Sequence, residues 1–266
     1  MSNFWTRKCE IIVGNRHLNM GDLDIEFNIP FDNDEEPDVA QVKIYNLSDN
    51  SVNSISKEQN VIINAGYEGD VGTLFKGTLQ KTLTKWQNID KVTELHIGDG
   101  SQQWMREQIS EAYSENTTSQ EILGDLTGRF GLEVGRLDLV NNLTYLKGRI
   151  IDSSLKDAIK QVVKETNTAF KISKGRIFIM PFSEGIPTGF LLNKNTGLIG
   201  SPEVFEKEEN GQIYKGFKIT MLLNHRITID SIFSVQSETA NGTFRVLRGR
   251  HINNGSNFLT IVEVRE

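Results

Sequence analysis

Four histidines are the first residues to question for chemistry. His17, His96, His225 and His251 are scattered along the 266 residues, and no two lie three or four positions apart. A helical metal pair of the HExxH kind is therefore absent, and the histidines read as structural or surface residues. Neither a nucleophile-elbow GxSxG, a Walker A loop nor a dinucleotide-binding GxGxxG occurs. Cys9 is the single cysteine, which excludes an intrachain disulfide and a cysteine metal cluster. That usage fits synthesis in a reducing cytoplasm. The 35 acidic residues supply many carboxylate pairs, none in a context that would raise a pKa. The run Asp32-Asn33-Asp34-Glu35-Glu36-Pro37-Asp38 invites comparison with a calcium loop. It lacks the regular ligand spacing and central glycine of an EF-hand and reads as a solvated loop. Trp5, Trp86 and Trp104 are dispersed, so no aromatic platform for sugar or single-stranded nucleic acid forms. Arg245, Arg248 and Arg250 alternate through a strand, with Arg248 and Arg250 on one face. This is either a small basic patch on a partner surface or a solvated strand face. No catalytic, cofactor-binding or metal-ligating residue is assigned, no cofactor is expected, and the protein is expected not to be an enzyme.

The elements that would position any site are mainly strands. Val39 to Leu47 is β-branched, with Ala40, Val42 and Ile44 on one face and Gln41, Lys43 and Tyr45 on the other. Ser48 is a candidate N-cap for a short helix carrying Val52 and Ile55 on one side. Strands follow at Val61–Ala65, from Thr73, and from Lys91, with Gly66, Gly69 and Gly72 marking a turn. Before them, Leu23, Ile25, Phe27, Ile29 and Phe31 alternate with polar residues or proline, as in a strand with one buried face. After Gly98 the pattern changes. Gln102 to Glu111 is helix-compatible, and Thr118 to Glu121 is a capping box opening a helix with Ile122, Leu123 and Leu126 inward and Gly131 as its stop. A second helix begins near Asp152-Ser153-Ser154, with Leu155, Ile159, Val162 and Val163 as its buried stripe. Ala169–Ile172, a Ser173-Lys174-Gly175 turn and Arg176–Met180 form a hairpin. Beyond Asn193, strands return. Ile213, Phe217, Ile219 and Met221 share one face, and Ile227, Ile229, Phe233 and Val235 share the next. Asn241-Gly242 and Asn254-Gly255 are hairpin turns leading to further strands.

The fold class expected is α+β, mainly β. Two similar β-barrel domains, 1–98 and 193–266, flank a small α+β domain, 99–192. No apolar run approaches the roughly 18 residues of a membrane span, and the N-terminus lacks the apolar core of a signal peptide. The net charge of -6 is unevenly placed. Residues 1–98 hold nine basic and 15 acidic side chains, 99–192 hold 11 and 12, and 193–266 hold nine and eight. An acidic first domain argues against a specific grip on a nucleic-acid backbone, because such a grip wants the opposite sign.

Several patterns in order resemble one family. Ile44-Tyr45-Asn46-Leu47-Ser48, Val61–Ala65 with Gly66-Tyr67, and Leu74-Phe75-Lys76-Gly77 come first. Asp99-Gly100, Thr117 to Leu123, Ser154 to Ile159, Leu222 to Val235, Gly242 to Val246 and His251 follow. Together they resemble the baseplate hub, or tail-tip hub, proteins of tailed phages and tailocins, over most of the chain. The resemblance implies a homotrimer in which two barrels per subunit make a pseudo-sixfold ring. That ring adapts a sixfold tail tube to a threefold central spike, with the α+β part at the periphery. It implies a virion tail or baseplate location after assembly in the host cytoplasm. Implied partners are the tail tube protein, the spike and other baseplate proteins, with DNA or tape-measure protein only as channel contents and no membrane. Because the sequence ends at Glu266 on its second β part, the lytic domain some hubs carry is not expected here. Tyr45, Tyr67 and Phe75 read as core and interface residues. A tail-associated peptidoglycan hydrolase or endopeptidase would need a converging acid, base or metal set. A receptor- or carbohydrate-binding β module would need clustered aromatics. Neither is present in the sequence.

Overall fold

Alternation of apolar and polar residues builds the first strands. A computed structural model describes residues 6–32, 38–98, 107–209 and 212–265. The chain opens with β1 (Arg7–Val13), β2 (Arg16–Asn19), β3 (Ile25–Phe31) and β4 (Val39–Tyr45). The alternating residues of β3 and β4 are buried on one face, with Ala40, Val42 and Ile44 fully inaccessible. Helix α1 (Asp49–Asn53) starts where the Ser48 side chain accepts a hydrogen bond from the Ser51 N–H, as its N-cap role requires. Then come β5 (Asn60–Tyr67), the 18-residue β6 (Asp70–Gln87) and β7 (Asp90–Gly98). The β6–β7 hairpin turns at Asn88, whose φ of 56° lies in the left-handed region.

Residues 100–184 form a compact unit of their own. It contains β8 (Gln108–Tyr113), β9 (Thr117–Thr118), helix α2 (Ser119–Arg129), β10 (Glu133–Leu137), β11 (Thr144–Tyr145), β12 (Arg149–Ser154), helix α3 (Leu155–Glu165), β13 (Thr168–Ser173) and β14 (Arg176–Pro181). The capping box at Thr118 and Glu121 is formed in both directions. The predicted stripes of both helices are buried, and with Ile177 and Ile179 they make one core. Lys174 and Gly175 both take positive φ to turn β13 into β14. Residues 102–106 lie outside the described residues, and the rest of the expected 102–111 helix is overturned. Gln108–Tyr113 is a strand paired antiparallel with β12. Its Ile109 faces the core while its neighbours face out, a period of two that pairing selects over the helical period.

The second compact unit joins residues 1–99 to residues 185–266. Its C-terminal strands are β15 (Ile186–Leu192), β16 (Leu198–Glu209), β17 (Gln212–Leu222), β18 (Ser231–Gln236), β19 (Asn241–Asn253) and β20 (Phe258–Arg265). Residues 186–192, expected with the middle domain, pair parallel with β18 and so enter this sheet. Ile227 and Ile229 are buried but sit in the turn before β18, because Arg226 to Ser231 is closed by its own hydrogen bonds. Asn241-Gly242 is likewise not the turn. Ser237–Ala240 makes the reversal, with Ser237 Oγ accepting from Ala240 N–H, and Asn241 already pairs with Gln236. Asn254-Gly255 does turn β19 into β20.

The class is α+β and mainly β, as expected. Within the larger unit all strands lie in one sheet, whose main path runs β16-β17-β20-β19-β3-β4-β7-β6-β5-β1-β2. The N- and C-terminal strands meet where β3 pairs antiparallel with β19, from Phe27 opposite Asn253 to Phe31 opposite Gly249. Two apolar cores flank this seam, and each takes side chains from the other half. Leu223 and Phe258 belong to the N-terminal core, whereas Phe31 belongs to the C-terminal one. Phe258 packs edge-on against Phe27 and Tyr67, beneath the Arg7 guanidinium. Arg7 in turn donates to the carbonyls of Gly255 and Ser256. Gly249 is required at the seam, since a Cβ there would lie 2.6 Å from the Ile261 carbonyl and 2.7 Å from the Phe31 ring.

A polar clasp also crosses between the halves. Asp70, at the start of β6, accepts two hydrogen bonds from Arg226 at 2.8 and 2.6 Å and lies 3.0 Å from His225 Nε2. The Arg226 guanidinium, and after it His225, hold the Asp70 carboxyl down at about 2, against an ordinary 3.8. A depressed carboxyl contributes its full stabilisation above about pH 4 and loses it as pH falls toward 2. With the Asp70 side chain 36% exposed, screening limits the effect to about 1 kcal/mol.

Two outcomes follow from this packing. Phe258→Ala should lower stability by about 3–5 kcal/mol in urea denaturation, because it empties the ring's place in the N-terminal core from the C-terminal hairpin. Asp70→Asn should flatten the fall in urea midpoint between pH 4 and pH 2 relative to wild type. An unchanged acid profile would show that the clasp contributes nothing.

Candidate functional site

The four histidines each lie in a contact within the fold, and Cys9 lies in the core. His251 is fully buried at the seam, 2.8 Å from the Thr260 hydroxyl and stacked near Phe31. Thr260 also accepts from the Asn224 N–H, so this imidazole–hydroxyl pair is part of a buried hydrogen-bond network. His225 and Asp70 have the geometry of a base and its orienting carboxylate. The ring's other edge, however, lies against Gly72, where even a Cβ would come within 2.2 Å of Nδ1. His17 Nδ1 lies 2.8 Å from Glu10, which also accepts from Asn64, a ladder across neighbouring strands. His96 Nε2 is 2.9 Å from Glu94 on the same strand face. The structure brings no two of the four histidines together in any of these contacts. Cys9 is buried, and desolvation pushes its thiol up to about 12.

The arginines behave in the same way. Arg245 donates to Asp230 at 2.8 and 2.6 Å in an ion pair that is almost entirely buried. Arg248 chelates Glu263 on the adjacent strand through two hydrogen bonds. A bulge between Val246 and Arg248 separates these two arginines in register. Arg248 and Arg250 do share an exposed face, the one expected. Residues 33–37 of the acidic run, with Trp5 and Trp104, lie outside the described residues. Among the described residues no group of three or more His, Cys, Asp or Glu side chains could hold a metal ion. No helix among them is long and apolar enough to cross a membrane.

What the structure leaves open instead is sheet edge and apolar surface. The strand β16 stands at one end of the sheet path, and among the described residues it pairs only with β17. On the other side, β6 pairs with β5 through Thr78 and continues with β7 to Gln87. The loop ahead of β5 covers Leu79 through Gln59 and Glu58. From Gln80 to Gln87 no described strand pairs with the outer side of β6. Both open stretches expose large apolar side chains. Trp86 is 70% accessible and Ile89 at the hairpin tip 87%, while Val204 on β16 is 67% accessible. Unpaired main chain beside exposed apolar groups is the signature of a surface that another strand completes.

Tyr67 and Phe75 lie in the N-terminal core, and Tyr45 is half-buried on the opposite face of β4. Sequence reasoning missed the open edges. The strand from Thr73 runs on past Leu79, and the signal for it was the alternation of Lys81, Leu83 and Lys85 with Thr82, Thr84 and Trp86. A solvated alternating strand announces its existence but not which of its edges is covered.

The sequence matches no family model and no curated protein. Solved structures do match. One is a tail protein of prophage MuSo2 from Shewanella oneidensis, with a TM-score of 0.69 and 9% identity over 98% of each chain. A second is a tail protein from Neisseria meningitidis, with a TM-score of 0.69 and 8% identity over 98% of this chain and 97% of that one. A third is the Escherichia coli c3393 protein, a component of the type VI secretion system described as structurally similar to the T4 phage tail proteins gp27 and gp5. Its TM-score is 0.64 at 10% identity, over 91% of this chain and 73% of that one. Identities this low speak for architecture, and the architecture shared along the length of this chain is that of phage tail proteins.

Proposed function

We propose that the chain is a structural baseplate hub protein of a phage or tailocin tail. It acts as a homotrimer whose two barrel-like parts, 1–98 and 193–266, make a pseudo-sixfold ring between a sixfold tail tube and a threefold central spike. The observation that carries this reading is the joined sheet. Two cores of one chain sit side by side on a single strand path that leaves β16 and the outer part of β6 unpaired, which supports reading one chain as two adjacent wall segments of a larger ring. The tail-protein fold supports it. The use of its histidines, arginines and cysteine as fold-holding groups supports a role without catalysis.

In this reading the partners are the tube protein, the spike protein and other baseplate components. DNA or tape-measure protein passes through the channel, and the location is the virion tail. Assembly rests on obligate interfaces, each burying on the order of 2,000 Å² or more. The test is native mass spectrometry of the purified chain over a concentration series. Trimers of the 30.0 kDa chain, or rings built from them, are the expected species. A chain that stays monomeric throughout and cleaves peptidoglycan would be a tail-associated hydrolase instead.

A further inference from the structure

Two of the open edges of the larger unit, along β16 and along the outer part of β6, differ in charge as well as position. The segment Lys81–Gln87, Lys-Thr-Leu-Thr-Lys-Trp-Gln, carries two bases and no acid. The segment Glu203–Glu209, Glu-Val-Phe-Glu-Lys-Glu-Glu, carries four acids and one base. Lys81 and Lys85 are exposed, as are Glu203 and Glu206, the latter in a solvent-exposed pair with Lys215. Seven residues of strand on each side span roughly 23 Å, so the stretches match in length.

Strand direction adds a second condition. From β16 to β6 the path has eight strands, and every neighbouring pair along it is antiparallel. An even number of alternating strands gives the two ends opposite directions. When a second copy is related to the first by rotation about a ring axis, its β16 therefore meets this copy's β6 antiparallel, and the alternation continues unbroken.

We infer that charge sorts the seam between copies. The basic edge Lys81–Gln87 of one chain pairs antiparallel with the acidic edge Glu203–Glu209 of the next, and the like-edge pairings are rejected by repulsion. Backbone pairing supplies the attachment, as in strand addition to an open edge. Trp86, Leu83 and Val204 add apolar contact. The charges decide which edges meet, because like charges brought face to face across a seam cost more than their exposed counterparts gain. Pairing of unlike edges is heterologous and makes a ring where the rotation between copies closes, whereas pairing of like edges would stop at a twofold dimer.

This inference rests on the hub reading, and the experiment separates the two. Native mass spectrometry and sedimentation would compare wild type with K81E/K85E, with E203K/E206K and with the variant carrying all four changes. Circular dichroism would verify that each stays folded. Either double variant alone is expected to weaken self-association by about 100-fold, since both of its edges then carry the same sign. Mixing the two double variants should restore association in species containing both, and the fourfold variant should regain the wild-type oligomer. A wild-type trimer that neither double variant disturbs would overturn the charge-sorted seam while leaving the hub reading intact. So would a folded fourfold variant that remains monomeric beside a wild-type trimer. A wild type that never self-associates would remove both.

Discussion

The seam between β3 and β19 is the constraint on which the larger unit depends. Five residue pairs of main chain join strands more than 200 positions apart in sequence. Without them the N- and C-terminal strands would present two further open edges, and two half-covered cores. The seam is reinforced from both sides. Asn253 donates to the Ile25 carbonyl, Phe31 crosses into the C-terminal core, and Phe258 returns from β20 into the N-terminal one. Such exchange makes each core incomplete without the other half, so the two should unfold as a cooperative body.

The polar interior follows from the same need. A buried acid or imidazole is costly unless it is paired, and here the pairs fasten one element to another. Asp230 and Arg245 tie the turn before β18 to β19. His251 and Thr260 bind β19 to β20 beside the seam, and Asp70 holds Arg226 and His225 across the halves. Asp70, Asp230, His225 and His251 are each held in such a contact. This gives the scattered histidines of the sequence a physical meaning, since each answers to a different local contact.

Sheets must settle their edges by covering them, by shortening them or by pairing them with another chain. This fold does the first at Leu79 and the second at the four-residue β2. The long free stretches of β6 and β16 have neither protection, and they expose apolar side chains. That asymmetry leaves the main chain and apolar side chains of both stretches accessible to a further strand. The eight antiparallel strands from β16 to β6 run these two edges in opposite directions.

The sequence by itself determined the local elements. Alternation at Ile25–Phe31 and at Ala40–Ile44, the Ser48 cap, the Thr118–Glu121 capping box and the Leu155–Val163 stripe are contacts between near neighbours, and they appear in the structure where the residues dictate. The middle unit's hairpin was legible for the same reason. Tertiary structure decided what depends on distant partners. Gln108–Tyr113 has residues compatible with either period and became a strand because β12 lies beside it. Asn241-Gly242 favours a turn, yet the Ser237 side chain closes the reversal earlier and leaves that pair in the ladder. The joining of the two halves through β3 and β19, and the identity of the edges left open, depend on which strands meet across more than 200 residues. Periodicity records which face of a strand is buried but not its neighbour, so the open edges became visible only when the chain was folded.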